Sequence, residues 1–219
     1  MPGEPSAWRS GLTLAVLAAV CTALVALTWR LTAPRIAENE QAALEHNLSP
    51  TIADLLYDSD LTKSVLLIPP PHELPGTRPV SVYRVWSEGD PAAAVFVVEE
   101  PAGYSGPIRL LIGIEYSGKI SGVRVLSHRE TPGLGDQIES SKSDWLEQFQ
   151  STSLESPPRG RWAVQRDDGA FDQVTGATIT SRAVVRAIKQ TLLYFEAHRD
   201  FIFAAEGAET TKPEHDQSE

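Results

Sequence analysis

The chain has 219 residues, 42% of them apolar, and a formal charge of −10. That is the size and composition of one folded domain with an appendage, and the acidic balance argues against a nucleic-acid partner, which needs a basic face. A single cysteine, Cys21, excludes an internal disulfide and a cysteine-rich metal site; the five histidines form no ligand pair, so no protein-only metal centre is readable.

The first element is an uncharged stretch from Gly11 to Trp29. A bilayer core of about 30 Å takes roughly 20 apolar residues at the helical rise, and this run meets that length. Arg9, Trp29 and Arg30 stand where interfacial anchors belong. A cleaved signal peptide is the competing reading, but its apolar core is shorter, about 7–15 residues, and no clean small-x-small cleavage site follows before Trp29. We therefore expect an uncleaved anchor over residues 10–29, after a short tail at 1–9. Arg9 on one side against Arg30 and Arg35 on the other leaves its orientation open.

Residues 30–79 read as a helical membrane-proximal segment and linker. Pro34 to Asn47 reads as a polar helix continuing away from the membrane, a second short helix is expected with Ser49 as N-cap and Pro50 at its first position, and Pro69-Pro70-Pro71 is an extended connector. Strand patterns follow. Val80 to Trp86 alternates, Ala93 to Val98 is a short apolar strand, and Ile108, Leu110, Ile112 and Ile114 give a half-buried strand at period two. Ser117-Gly118 turns the chain into a further strand, Lys119 to Leu126. Such short connections imply an antiparallel meander, and helices gathered before and after it make the class α+β.

His128 to Asp136 contains Pro132-Gly133, which suits the centre of a type II turn. Leu134 is then held at a bend against which a flat ligand can lie, although an ordinary Pro-Gly turn would look the same. Ser141 with Asp144 resembles a helix start leading to Trp145, Leu146 and Phe149. Trp162 to Val164 is a candidate last strand, and Asp168-Gly169 a turn. In the stretch Asp172 to Ser181 a loop runs into a helix whose buried face is Val184, Ala187, Ile188, Leu192 and Phe195. Gly176 and Ala177 leave the backbone uncovered just before it. The free amides of a first helical turn suit a phosphate; equally, Thr178, Thr180 and Ser181 can serve as capping hydroxyls. The domain is expected to span residues 80–206, with a disordered acidic tail at 207–219.

Three of these segments together resemble the FMN-binding domain family. Asp172-x-x-Thr175-Gly176-Ala177-Thr178 matches its flavinylation motif, in which the last threonine is esterified to the FMN phosphate. Glu130-Thr131-Pro132-Gly133-Leu134-Gly135 matches its second signature loop, and Gly103-Tyr104-Ser105-Gly106-Pro107-Ile108 a third segment. Order and spacing are similar to the G subunit of the Rnf (Rsx) electron-transport complex, closely from about Tyr104 to Phe195. Ser143-Asp144-Trp145 and Phe171-Asp172-Gln173 resemble it more than they resemble the C subunit of the sodium-translocating NADH:quinone reductase, the alternative within redox chemistry. A membrane-anchored flavin sensor is the alternative outside it.

The resemblance implies a single-pass subunit of the bacterial inner membrane with its flavin domain in the periplasm. Its complex would couple electron transfer between ferredoxin and NAD to ion movement, so the chain is a redox subunit and not a stand-alone enzyme. Partners would be the other Rnf subunits, membrane lipid and, during maturation, a flavin transferase. Thr178 would carry a covalent FMN. Thr175, Gly176 and Ala177 would line the phosphate end, and Glu130, Thr131, Gly133 and Leu134 would approach the isoalloxazine, with Tyr104 in the third segment. Asp172 would either help the transferase hold a metal or only cap its loop.

Overall fold

The computed structural model describes residues 7–51 and 64–204. The chain divides into two compact units, residues 1–45 and 46–219. Most of the first is helix α1, Ala7–Thr51. Its stretch Trp8–Arg35 is long and apolar enough to cross a membrane, with a mean hydropathy of 2.3 and none of it buried. Apolar side chains cover this stretch all round, as in a membrane span and unlike an amphipathic surface helix. Trp8 with Arg9 and Trp29 with Arg30 mark its two ends, about 30 Å apart at 1.5 Å per residue, the spacing of two membrane interfaces. As expected, the helix continues through Pro34 away from the apolar stretch. One expectation is corrected here: the short helix capped by Ser49 is absent, because Ser49 and Pro50 lie in the last turn of α1 itself. The acidic tail lies outside the described residues.

The second unit is built on a five-stranded sheet in simple sequence order, every neighbour antiparallel. Its strands are β1 (Val65–Ile68), β2 (Val80–Ser87), β3 (Asp90–Glu100), β4 (Ile108–Glu115) and β5 (Ile120–Ser127). β2 to β5 follow the alternation of the sequence, and the Ser117-Gly118 turn closes with the Gly118 N–H on the Glu115 carbonyl at 2.8 Å. β1 comes from the stretch read as linker. It pairs its whole length against β2, Val65 opposite Tyr83 and Ile68 opposite Val80, and Leu74 in the connection behind the proline run is buried in the core.

Helix α2 (Thr178–Ile202) lies across β3 and β4. Its expected face, Val184, Ala187, Ile188, Leu192 and Phe195, is buried against Ala94, Phe96 and Val98 of β3 and Leu110, Ile112 and Ile114 of β4. Phe96 meets Phe195 edge to face at 6.3 Å between centroids. An ion pair fixes the same helix to the end of the sheet. Arg186 Nη2 donates to the buried Glu100 at 2.7 Å, and the Ala102 N–H caps the same oxygen at 3.0 Å.

Between β5 and α2 the chain forms only short 3-10 turns. The strand expected at Trp162 to Val164 reduces to one bridge, Val164 to Phe171. The helix expected after Asp144 is a 3-10 turn, Trp145–Phe149, whose first amide is capped by Ser143 Oγ at 3.2 Å, not by Ser141. Aromatic packing replaces the missing ladder. Trp145, Phe149, Phe171 and Trp162 touch in series, with centroids 5.4, 4.8 and 4.6 Å apart, and Trp162 Nε1 reaches the Ser153 carbonyl at 3.0 Å. These contacts hold the loop that delivers the chain to the start of α2.

Because Phe96 is fully buried between sheet and helix, Phe96→Ala is expected to cost about 3–5 kcal/mol through lost contact and a residual cavity. Urea denaturation of the purified chain measures it; a cost below about 1 kcal/mol would mean that α2 does not depend on this contact.

Candidate functional site

Three loops distant in sequence converge beside the first turn of α2. They enclose a cleft of about 510 Å³ lined by Tyr104, Glu130, Thr131, Leu134, Gly135 and Arg166 and by residues 176–180. That volume is within the usual range for small-molecule and cofactor sites. Tyr104, Leu134 and Ile179 stand at its walls with 67%, 47% and 49% of their surface exposed. Large apolar side chains left this open around one concavity mark a surface that a ligand covers.

The junction of the loops is Glu130, which is 4% exposed. Its Oε2 accepts the Thr180 hydroxyl at 2.5 Å and its Oε1 accepts the Ser105 amide at 3.1 Å. One carboxylate thus joins the Tyr104 segment, the Pro-Gly loop and α2. A buried carboxylate is tolerable only when its oxygens are hydrogen-bonded. The two glycines against it are required by space: a Cβ on Gly135 would stand 2.8 Å from Glu130 Cβ, and one on Gly103 2.8 Å from Glu130 Oε1.

The Pro132-Gly133 turn forms as expected. Gly133 has φ +78°, and the Leu134 N–H donates to the Thr131 carbonyl at 3.2 Å. Its position places Leu134 against Gly176, where a Cβ would lie 3.1 Å from Leu134 Cδ2. Behind the loop is a charged network. Lys142 Nζ donates to Asp136 at 2.9 Å and to Glu139 at 2.7 Å. His128 accepts the Glu130 amide on Nδ1 at 2.9 Å, so its proton is on Nε2, which donates to Glu139 at 2.9 Å. The hydrogen bond from Lys142 is the main cause that holds both carboxyls below their ordinary values of 3.8 and 4.5.

At the start of α2 the backbone amides of Thr178, Ile179 and Thr180 precede the first intrahelical bond, which the Ser181 amide makes to the Ala177 carbonyl at 3.0 Å. The hydroxyls divide the work. Thr180 is committed to Glu130, while Ser181 donates to the Ala177 carbonyl and accepts the Val174 amide, each at 3.0 Å. The Thr178 hydroxyl bonds to no described residue and lines the cleft. It is not a cap.

Of the ten residues singled out from the sequence, Tyr104, Glu130, Thr131, Leu134, Gly176, Ala177 and Thr178 line this cleft together. Gly133 shapes the turn without lining it. Asp172 and Thr175 instead line a neighbouring cavity of about 620 Å³ with Asp144, Trp145, Glu147 and Gln148. There the backbone of Asp172 is held on both sides, its N–H by Gln148 Oε1 at 2.7 Å and its carbonyl by Trp145 Nε1 at 2.9 Å, and its side chain is exposed. Thr180, Ile179, Gly135 and Arg166 were missed. Arg166 stands outside all three matching segments, and the bond from Thr180 to Glu130 spans fifty positions.

Residues 103–193 match the FMN-binding domain family and residues 1–50 the RnfG N-terminal region. The chain is 41% identical to the G subunit of the ion-translocating oxidoreductase complex of Shewanella piezotolerans, over 92% of its own length and 95% of that protein's. The chain belongs to the RnfG family, the G subunits of ion-translocating oxidoreductase complexes. Other RnfG relatives are those of Photorhabdus laumondii, 45% identical over 86% of this chain and 90% of that one, and of Pectobacterium atrosepticum, 41% identical over the same shares. These relatives favour RnfG over the flavin subunit of the quinone reductase. The RnfG cleft fits FMN on its own chemistry. Apolar walls suit a flat ring system, first-turn amides suit a phosphate, and one hydroxyl stands unengaged between them.

Two outcomes test this geometry. Thr180→Val leaves a buried carboxylate oxygen without its donor and should cost about 1–3 kcal/mol in denaturation; no change would remove Glu130 as the joint. In the charged network, lowered carboxyl values add stability that is complete above the ordinary values and is lost as pH falls through the folded ones. Stability should therefore drop from about pH 4.5 downward, and Lys142→Met should flatten that slope. An unaltered slope would show the network to be inert.

Proposed function

We propose that the chain is the electron-carrying flavin subunit of a membrane complex that couples electron transfer between ferredoxin and NAD to ion translocation, with FMN attached through Thr178. One observation carries the attachment. Thr178 is the hydroxyl of the first turn that neither caps the helix nor holds the loops, and it opens into the cleft. Forming the link joins Thr178 Oγ to the flavin phosphorus. The hydroxyl proton leaves to a base, and the electron pair of the broken P–O bond leaves with the departing group of an activated flavin phosphate. A flavin transferase would supply that donor, and Asp172, exposed on the neighbouring cavity with Thr175, is the group of the motif left free to meet it.

When bound, FMN supplies the redox chemistry, because its ring takes up and releases electrons. The chain's residues do the rest. Gly176, Ala177 and the first-turn amides hold the phosphate end, where the helix start offsets the charge of a phosphodiester by roughly 0.3–1 kcal/mol. Tyr104, Thr131, Leu134 and Ile179 cover the ring. Glu130 and Gly133 would hold the Pro-Gly loop in place beside the ring. Residues 10–29 anchor the subunit in the inner membrane, lipid surrounds that span, and residues 80–206, extended by β1, form the flavin domain in the periplasm. Covalent attachment matters most there, since a lost cofactor is not readily replaced and a tether keeps it at a fixed effective concentration.

Membranes from cells that also express the transferase should give a flavin-fluorescent band for this chain on a denaturing gel. Thr178→Val should abolish the band while the complex still assembles, and ion-coupled electron transfer should be lost with it. A band of unaltered intensity would place the attachment elsewhere.

A further inference from the structure

We propose that Arg166 is the side chain that recognises the flavin phosphate and so distinguishes FMN from an unphosphorylated flavin. The inference rests on the flavin reading of the cleft and assigns a specificity role within it. Among the described residues lining that cleft, Arg166 supplies the one cationic side chain. Glu130 is the one acidic side chain, and both its oxygens are engaged inside the fold.

The fold brings Arg166 to the phosphate end by a traceable route. Thr178 and Arg182 lie one turn apart on α2 and so share a face. Arg182 grips Asp167 with a fork, Nε to Oδ2 at 2.6 Å and Nη2 to Oδ1 at 2.5 Å. That fork fixes the 3-10 turn Gln165–Asp167 beside the first turn of α2. On the other side of the turn, the Arg166 amide donates to Gln173 Oε1 at 3.4 Å, and the Gln165 amide to the Phe171 carbonyl at 2.7 Å. The backbone of Arg166 is thereby placed on the rim that Thr178 occupies.

The same fork leaves the Arg166 guanidinium available. Its acidic neighbour Asp167 has both oxygens hydrogen-bonded by Arg182, the main cause that holds this carboxyl below its ordinary value, so Arg166 acts on it only as a nearby charge and makes no hydrogen bond to it. The Arg166 side chain bonds to no described residue, is exposed, and lines the cleft alongside Gly176, Ala177 and Thr178. A planar guanidinium matches phosphate oxygens with paired donors. Amides of the helix start alone offer dipoles, which any anion or polar group can use; a full charge responds to the phosphate itself.

The test uses the full-length chain in detergent carrying Thr178→Val, so that no flavin is attached and reversible binding is read by quenching of flavin fluorescence. FMN and riboflavin are titrated in parallel, at low and high salt. Arg166→Ala should weaken FMN about five- to tenfold, the worth of one exposed charge-assisted contact. It should leave riboflavin unchanged, and about 0.5 M salt should narrow the gap between the two flavins only where Arg166 is present. Arg166→Lys should restore most of the preference. Equal losses for FMN and riboflavin, or no loss for either, would overturn the role of Arg166 while leaving the flavin cleft standing. If neither flavin binds even with Arg166 present, both the flavin reading and this inference fail together.

Discussion

The cleft depends on one buried carboxylate. Glu130 joins the loop at Tyr104, the Pro-Gly loop and the first turn of α2 through two hydrogen bonds, from Ser105 and from Thr180. Removing a carboxylate from water is costly, and a partner lost from such a site leaves that cost uncovered. The penalty makes the arrangement specific. Any displacement of one loop from the others strands a charge, so the three segments are held as a unit. Gly103 and Gly135 let the segments approach closely, and Lys142 with His128 braces the far side of the loop. The walls of the cleft are thus set by a polar joint at the margin of an apolar core, not by the core itself.

The hydrophobic core performs a different task. The burial of α2 against β3 and β4, with Glu100 and Arg186 at the margin, fixes where the first turn of α2 emerges. The aromatic series from Trp145 to Trp162 then fixes the loop that leads into it. The proposed tether would need both: a rigid helix start to bear the link and a delivery loop that keeps one hydroxyl open to the cleft. The three neighbouring hydroxyls divide accordingly: Ser181 closes the helix end, Thr180 holds Glu130, and Thr178 bonds to no described residue. The apolar stretch of α1 is long enough to cross a membrane, in keeping with the membrane association that the RnfG relatives suggest.

Much of this was legible in the sequence. β2 to β5 declared themselves by alternation at period two, and the buried face of α2 by helical spacing from Val184 to Phe195. The three motif segments carry eight of the cleft-lining residues. What stayed hidden had physical reasons. β1 is four residues long beside a proline run and gains its stability from pairing with β2, which no local pattern announces. Residues 128–177 have no period, because edge-on and tilted aromatic contacts and 3-10 turns hold them in place of a ladder. The helix at Ser49 was expected from capping chemistry that the longer α1 overrides. Thr180 and Arg166 could not be found from spacing, since one acts across fifty positions and the other is placed by a neighbour's ion pair.

The central claim is that Thr178 bears the flavin. Mass spectrometry of the peptide containing Thr178, taken from the chain purified out of membranes in which the transferase is active, tests it most directly. This peptide is expected to carry an added FMN phosphoryl group, with fragmentation placing it on Thr178 and not on Thr175, Thr180 or Ser181. An unmodified Thr178 peptide, found beside flavin on another residue or beside chain that retains no flavin after denaturation, would contradict it.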